Sequence, residues 1–282
     1  MERFGTVVII GAGLIGGSIG MALRSRGLAQ RVVGLGRDLG RLEEARRLGA
    51  LDEGFVDPHA ALRDADVAVV CTPVGRIVRD VATAVEHGPP GLLVTDAGST
   101  KQEIVAGVEA QEATCRAFVA AHPLAGSERT GVSAARTDLF EGRICVLTPT
   151  PRTSPDRLER ARAFWSGLGC RLLELAPQAH DDALARTSHL PHVVASALAA
   201  SVPPEDLALA AGAYRDGTRV ALADGSLWAQ IFLANRAGVL AALDRFEERL
   251  GALRAGIEAN DPDHLLEAWR IGQSHRERFL KE

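Results

Sequence analysis

The segment Thr6-Val7-Val8-Ile9-Ile10-Gly11-Ala12-Gly13-Leu14-Ile15-Gly16 constrains this chain more than any other. Its unbroken apolar run reads as a strand buried on both faces, and a helix-forming stretch follows the glycines at once. Strand, tight turn and helix in immediate succession open a parallel α/β unit. In that setting Gly11 permits the turn, Gly13 lets the backbone approach a pyrophosphate, and Gly16 allows close helix–sheet packing. The first helical amides, at Leu14, Ile15 and Gly16, and the helix dipole would then hold the phosphates. The pattern predicts a dinucleotide site.

Strand-like runs recur at Arg31-Val32-Val33-Gly34, Asp66-Val67-Ala68-Val69-Val70-Cys71 and Leu92-Leu93-Val94-Thr95. Between the second and third strands, Leu39, Leu42, Ala45 and Leu48 recur at helical spacing, with Glu43 and Arg47 as an i,i+4 pair and Gly49 as a stop. This alternation predicts an α/β fold with a Rossmann-type doubly wound parallel sheet. Further strands are expected at 118–121, 144–147 and 171–174. Ser154-Pro155 reads as a helix start, with Ser as cap and Pro at the first helical position.

Beyond Ala176 the strand signal disappears. Residues 177–282 are rich in alanine and leucine, with helical periodicity broken at Pro203-Pro204, Asp224-Gly225 and Asp261-Pro262. The expected organisation is a dinucleotide-binding domain over 1–175 and an all-helical substrate and dimerisation domain over 176–282. Val239, Leu243, Phe246, Leu250, Leu253 and Ile257 follow 4-3-4-3-4 spacing. Such spacing fits either the seam of a helix packed lengthwise on another or an ordinary core helix.

The end of the second strand bears on cofactor type. An NAD site usually carries Asp or Glu there for the ribose hydroxyls. This chain reads Gly34-Leu35-Gly36-Arg37-Asp38, so the acidic position is Gly36 and a guanidinium follows. Arg37 suits a 2′-phosphate in charge and in bidentate geometry, which favours NADP. NAD stays open, because Asp38 could turn toward the ribose and Arg37 could stack on adenine.

The formal charge of −4 argues against a nucleic-acid binder, and no stretch reaches the ~20 apolar residues of a membrane helix. With no targeting peptide visible, a cytoplasmic protein is expected. Cys71, Cys115, Cys145 and Cys170 are scattered without a CxxC pair, so they read as buried small hydrophobes.

Two later segments, Asp96-Ala97-Gly98-Ser99-Thr100-Lys101 and His122-Pro123-Leu124-Ala125-Gly126-Ser127-Glu128, supply a hydroxyl, a cation and an imidazole from the far strands of the sheet. A nicotinamide ring would lie there. Thr100-Lys101-Gln102-Glu103 matches a capping box, which would put Ser99 beside a helix N-terminus. Taken alone, Ser99 reads equally as a turn or cap residue, and His122 as a structural histidine. His189 and His192, at i,i+3 with His180-Asp181 upstream, could bind a metal or open a helix with one structural imidazole.

Together with Ser188-His189-Leu190-Pro191-His192 and Tyr214-Arg215-Asp216-Gly217-Thr218-Arg219, these segments closely resemble the prephenate/arogenate dehydrogenase family of tyrosine biosynthesis, in collinear order from about residue 6 to 236. The resemblance implies that His122 is catalytic, hydrogen-bonded by Ser99. It would take the proton from, or polarise, the substrate C4 hydroxyl while hydride passes to NAD(P)+ and CO2 is lost. It also implies that Arg219 binds prephenate in an ionic network with Glu128 and Asp216, beside Ser127. His192 would face the substrate side chain with no metal present, and Trp228 would reach a neighbouring subunit's site in a homodimer built on the helical domain. Thr72, in Cys71-Thr72-Pro73 at a strand end, falls to the cofactor. No chorismate mutase segment or ACT domain is expected, so feedback by tyrosine would act at the active site.

Three alternatives stand beside this reading. Arogenate could be the substrate, although an ammonium would prefer an acidic neighbour to His192. A β-hydroxyacid dehydrogenase would be expected to carry a catalytic lysine in its helical domain, yet Lys101 and Lys281 are the chain's two lysines. A non-catalytic NADP sensor would have no use for Ser99, His122, His192 and Arg219 together.

Overall fold

The computed structural model describes residues 3–126 and 129–281. Among them, β1 (Phe4–Ile10), β2 (Ala29–Leu35), β3 (Glu53–Phe55), β4 (Ala65–Val70), β5 (Leu93–Asp96) and β6 (Phe118–Val119) form one parallel sheet in the order β3-β2-β1-β4-β5-β6. Helices α1 (Leu14–Ser25), α2 (Leu39–Arg47), α3 (Pro58–Leu62), α4 (Ile77–His87), α5 (Gln102–Glu109) and α6 (Glu112–Ala117) connect the strands. Chain order reverses between β1 and β4, so the connections leaving their carboxyl ends diverge and open a crevice there.

The apolar runs are unbroken because both faces of the sheet are covered. Val7 and Ile9 enter one core with Ile19, Leu23, Phe164 and Trp165. Val8 and Ile10, pointing the other way, enter a second core with Val81, Ile104 and Val108. A two-residue period therefore serves two cores at once.

The strand expected at 118–121 divides. Phe118 and Val119 pair with Val94 and Thr95 in the parallel sheet. The Ala121 amide is then taken by the Asp96 carboxylate (3.0 Å), so the ladder ends and the chain turns away. It continues as β7 (Ala121–Pro123), antiparallel to β8 (Ile144–Leu147), which is parallel to β9 (Arg171–Glu174) in a separate sheet. The expected strands at 144–147 and 171–174 thus exist, but they do not extend the main sheet.

Two local expectations change. Glu43 pairs with Arg46 (2.7 Å), one residue short of Arg47, in a helix that stops at the positive-φ Gly49. The helix α7 (Pro155–Gly167) starts at Pro155 as expected, but the Ser154 side chain makes no capping hydrogen bond.

After Glu174 the described chain is helical: α8 (Pro177–Leu184), α9 (Leu190–Ser201), α10 (Gly212–Thr218), α11 (Gly225–Ala234), α12 (Arg236–Glu258) and α13 (Pro262–Phe279). Between α8 and α9, Ala185–His189 forms a π-helical turn. Pro191 explains it: with no amide hydrogen it cannot bond the Thr187 carbonyl, and its ring would crowd that turn, so the helix widens by a residue. The 4-3 seam on α12 is core at Val239 but open further along, with Leu250 and Ile257 52% and 67% exposed. No single helix among the described residues is long and apolar enough to cross a membrane.

Candidate active site

The glycine turn sits in the crevice between β1 and β4. Gly11 has φ +96°, and a Cβ there would lie 3.0 Å from the Cys71 carbonyl oxygen. At Gly16 a Cβ would come within 2.3 Å of the Gly11 oxygen, so the helix can approach the strand only without one. Gly13 is different: a Cβ would meet nothing within 4 Å, which leaves open space over the helix end. No side chain caps α1 and no acidic residue stands in its first turn, so the amides of Leu14, Ile15 and Gly16 are free to receive an anion. These residues fit the pyrophosphate of a dinucleotide.

At the end of β2, Arg37 is exposed and, among the described residues, has no ion-pair partner. Asp38 is committed to α2, accepting from the Gly40 and Arg41 amides (2.8 and 3.2 Å). Thr72, at the end of β4, gives its hydroxyl to Asp80 (2.6 Å), so its methyl borders Gly11 beside the Cys71 carbonyl.

The loop after β5 is organised by Asp96. One carboxylate oxygen accepts from the Gly98 amide (2.9 Å) and from the Lys101 ammonium; the other accepts from Ala121. Lys101 also donates to the Ala121 carbonyl (2.7 Å) and is completely buried. The cation expected beside the nicotinamide is thus consumed beneath the site, tying the loop of Ser99 to the strand of His122. The capping box does not form: Lys101 occupies the cap position, and Thr100 Oγ1 is buried without a partner. The α5 N-terminus is capped from the helical half of the chain, where Asp181 accepts from the Lys101 and Gln102 amides (2.8 and 2.9 Å). A side chain 80 residues away outcompetes the local one.

His122 lies within β7, opposite Val146, and is partly open to solvent. Among the described residues it shares no hydrogen bond with Ser99, contrary to expectation; its Nδ1 faces His180 Nε2 at 2.9 Å. His180 Nδ1 in turn donates to Asp181 (2.7 Å), and both residues are buried. Burial, then the neighbouring His180, Lys101 and His189, hold the His122 imidazole well below the ordinary histidine range, so the ring is neutral at neutral pH.

The chain of contacts continues through the helical half. Asn235 donates to the Asp181 carbonyl (2.7 Å) and reaches His189 Nδ1 (3.2 Å). His189 is buried, which pushes its pKa down to about 4. His192 Nδ1 donates to the Ser188 carbonyl (2.9 Å), leaving Nε2 free. Trp228 stacks on His192 with centroids 3.5 Å apart and meets His189 edge-on at 6.0 Å. Within the chain, α11 packs back on Val74–Arg76 and holds the ring against His192. His189 ends the π turn at the start of α9, and His192 lies in the first turn of that helix.

Arg219 is exposed at the start of a short 3-10 turn, Arg219–Leu222, packed against α9, and its charge helps burial hold His192 below the usual range. Asp216 pairs with Arg215 (3.4 Å), and among the described residues Arg219 has no ion-pair partner, so the expected Asp216–Arg219 link is not formed. Arg215, its exposed neighbour in α10, takes the carboxylate instead. Ser127 and Glu128 lie outside the described residues. Sequence reasoning had singled out His180 and Asp181 only as potential metal ligands; their adjacency gave no sign that they meet His122.

Comparison with known proteins follows the same division of the chain. Residues 19–174 match the family profile described as prephenate dehydrogenase, nucleotide-binding domain, and 176–271 that described as prephenate dehydrogenase, dimerization domain. The prephenate dehydrogenase of Bacillus subtilis (strain 168) is 30% identical over 282 residues, covering 96% of this chain and 75% of the relative. The cyclohexadienyl dehydrogenase of Zymomonas mobilis is 32% identical, covering 98% and 96%. Among solved structures, prephenate dehydrogenase from Aquifex aeolicus in complex with hydroxyphenyl propionate and NAD+ superposes with a TM-score of 0.90 at 30% identity, covering 99% and 98%. Synechocystis arogenate dehydrogenase gives 0.83 at 28% identity, covering 97% and 99%.

Proposed function

The chain belongs to the prephenate dehydrogenase family, and from that premise we propose that it catalyses the oxidative decarboxylation of prephenate to 4-hydroxyphenylpyruvate. The observation that carries the reading is His122: a neutral imidazole beyond the carboxyl edge of a dinucleotide-binding sheet, with Nδ1 engaged and Nε2 available. Gly13 and the α1 amides would hold NAD(P)+, which would supply the acceptor for the hydride that leaves substrate C4. His122 Nε2 takes the C4 hydroxyl proton as that hydride departs. The bond from C1 to the ring carboxylate then breaks, its electron pair aromatises the ring toward the C4 oxygen, and CO2 leaves. His122 returns its proton to that oxygen and is regenerated. Ser99, on the loop anchored by Asp96, orients the substrate in this proposal. Initial rates with prephenate and arogenate, each crossed with NAD+ and NADP+, test the reading; no turnover of either substrate would sink it.

Arogenate is the second reading, since the similar proteins include an arogenate dehydrogenase and a cyclohexadienyl dehydrogenase. The described surroundings favour the keto acid: Arg219 stands near His192, and Asp216 is occupied by Arg215. A substrate ammonium finds no free carboxylate there among the described residues. Arg219 holds the ring carboxylate in this proposal, through two parallel hydrogen bonds. Arg219→Ala is expected to raise the substrate KM by roughly tenfold or more with a smaller change in kcat, and Arg219→Lys not to restore it. An unchanged KM would move the carboxylate to Arg215.

The exposed Arg37, without an ion-pair partner among the described residues, stands beside a committed Asp38 and supports a preference for NADP over NAD. Arg37→Ala should then raise the NADP KM at least about tenfold and leave the NAD KM nearly alone. Equal effects on both cofactors would reduce Arg37 to packing. We place the functional boundary at 175/176 and the enzyme in the cytoplasm. It is read as a homodimer through α12 and α13, where Leu250, Ile257, Trp269 and Phe279 are exposed.

A further inference from the structure

We propose that Asp181 and His180, carried on the first helix of the C-terminal half, set the tautomer of His122 and so make its outward nitrogen a base; this rests on the reading of His122 as the proton acceptor. The geometry leaves little freedom. Both Asp181 oxygens already accept backbone hydrogens, from Lys101 and Gln102, so the carboxylate acts as an acceptor toward His180 as well. The His180 proton therefore sits on Nδ1, 2.7 Å from Asp181 Oδ1, and Nε2 keeps its lone pair. At 2.9 Å from that lone pair, His122 Nδ1 must donate. The remaining nitrogen of His122, Nε2, is left without a proton and turned away from the pair. A neutral histidine side chain free in water prefers the opposite tautomer, with hydrogen on Nε2, which could not accept the substrate's proton. The pair selects against the intrinsic preference and then faces the imidazolium that forms during the reaction with an acceptor backed by a carboxylate.

The same carboxylate caps α5, so one residue serves two ends. Docking of α8 on the nucleotide-binding half and correct protonation of the base are a single event, because Asp181 cannot reach the Lys101 and Gln102 amides without presenting Oδ1 to His180. Asn235 holds the Asp181 backbone from a second helical element and extends the coupling toward His189 and the Trp228–His192 stack. His180 is thus a positioning residue. It touches no reacting atom but decides which nitrogen of His122 does.

The test combines a substrate-free readout with kinetics. In the holoenzyme labelled with 15N-histidine, long-range proton–nitrogen correlation should show His122 protonated at Nδ1 at neutral pH. His180→Leu should shift His122 toward the Nε2 tautomer and lower kcat by about ten- to hundredfold with substrate and cofactor KM nearly unchanged. Asp181 keeps its two backbone donors in that variant, so the fold and the α5 cap survive, which thermal unfolding checks. His180→Gln, whose carbonyl oxygen can accept in place of Nε2, should recover part of kcat. His122 found as the Nε2 tautomer in the unaltered enzyme, or His180→Leu within about twofold of its kcat, overturns the proposal. The nitrogen spectrum needs no substrate, so failure to turn over prephenate or arogenate would strike the functional reading and leave this one standing on its own data.

Discussion

His122→Asn is expected to lower kcat by about 10²–10⁴-fold while cofactor and substrate affinity stay within a few-fold. Asparagine preserves a polar group of similar reach on β7 but supplies no base. The His180 ring would still find a donor, so the buried pair is not left unsatisfied and the fold should persist. In the unaltered enzyme the pH profile carries a second signature. Neutral imidazole is the active form, and burial together with His180, Lys101 and His189 holds its pKa well below 6.5. Activity should therefore be retained through pH 6.5 and fall only at lower pH, as the ring protonates. A kcat profile whose acid limb is centred at or above about 6.5, or near-normal kcat in the asparagine variant, would remove His122 from the chemistry.

Lys101→Met is expected to destabilise the protein by about 3–5 kcal/mol, measured by urea unfolding. The Lys101–Asp96 pair is completely buried, and Asp96 also receives the Gly98 and Ala121 amides. Removing the ammonium leaves a buried carboxylate facing no cation, and that uncompensated charge accounts for most of the cost. Because Lys101 further holds the Ala121 carbonyl, the strand of His122 loosens from the loop of Ser99. The double variant Asp96→Asn, Lys101→Met should recover part of the loss, since no isolated charge then remains. A single variant within about 1 kcal/mol of the parent would show that the pair contributes little beyond packing.

The correct and incorrect expectations differ by physical range. Apolar runs such as Val7–Ile10 and Val67–Val70 were legible because both faces of the sheet are buried there, so every position must be apolar. The glycine turn was legible because its requirements are local: a positive φ at Gly11 and contact of Gly16 with the strand beneath. The capping box at Thr100–Glu103, the Glu43–Arg47 pair and the single strand at 118–121 were also local readings, yet tertiary partners overrode the first and third. Asp181 replaced Thr100 at the helix end, and Asp96 took the amide that would have continued the strand.

The amino-acid sequence alone therefore determined the two-part architecture and the glycine turn of the dinucleotide crevice, because periodicity, turn geometry and motif spacing act within a few residues of one another. What only the tertiary structure decided is how those residues are wired. Lys101 is sealed beneath the site with Asp96, Trp228 lies on His192 of its own chain, and His122 is backed by His180 and Asp181 in place of Ser99. A hydrogen bond is decided within about 3 Å, and sequence separations of 58 to 80 residues are brought to that distance only when the helical half packs on the sheet.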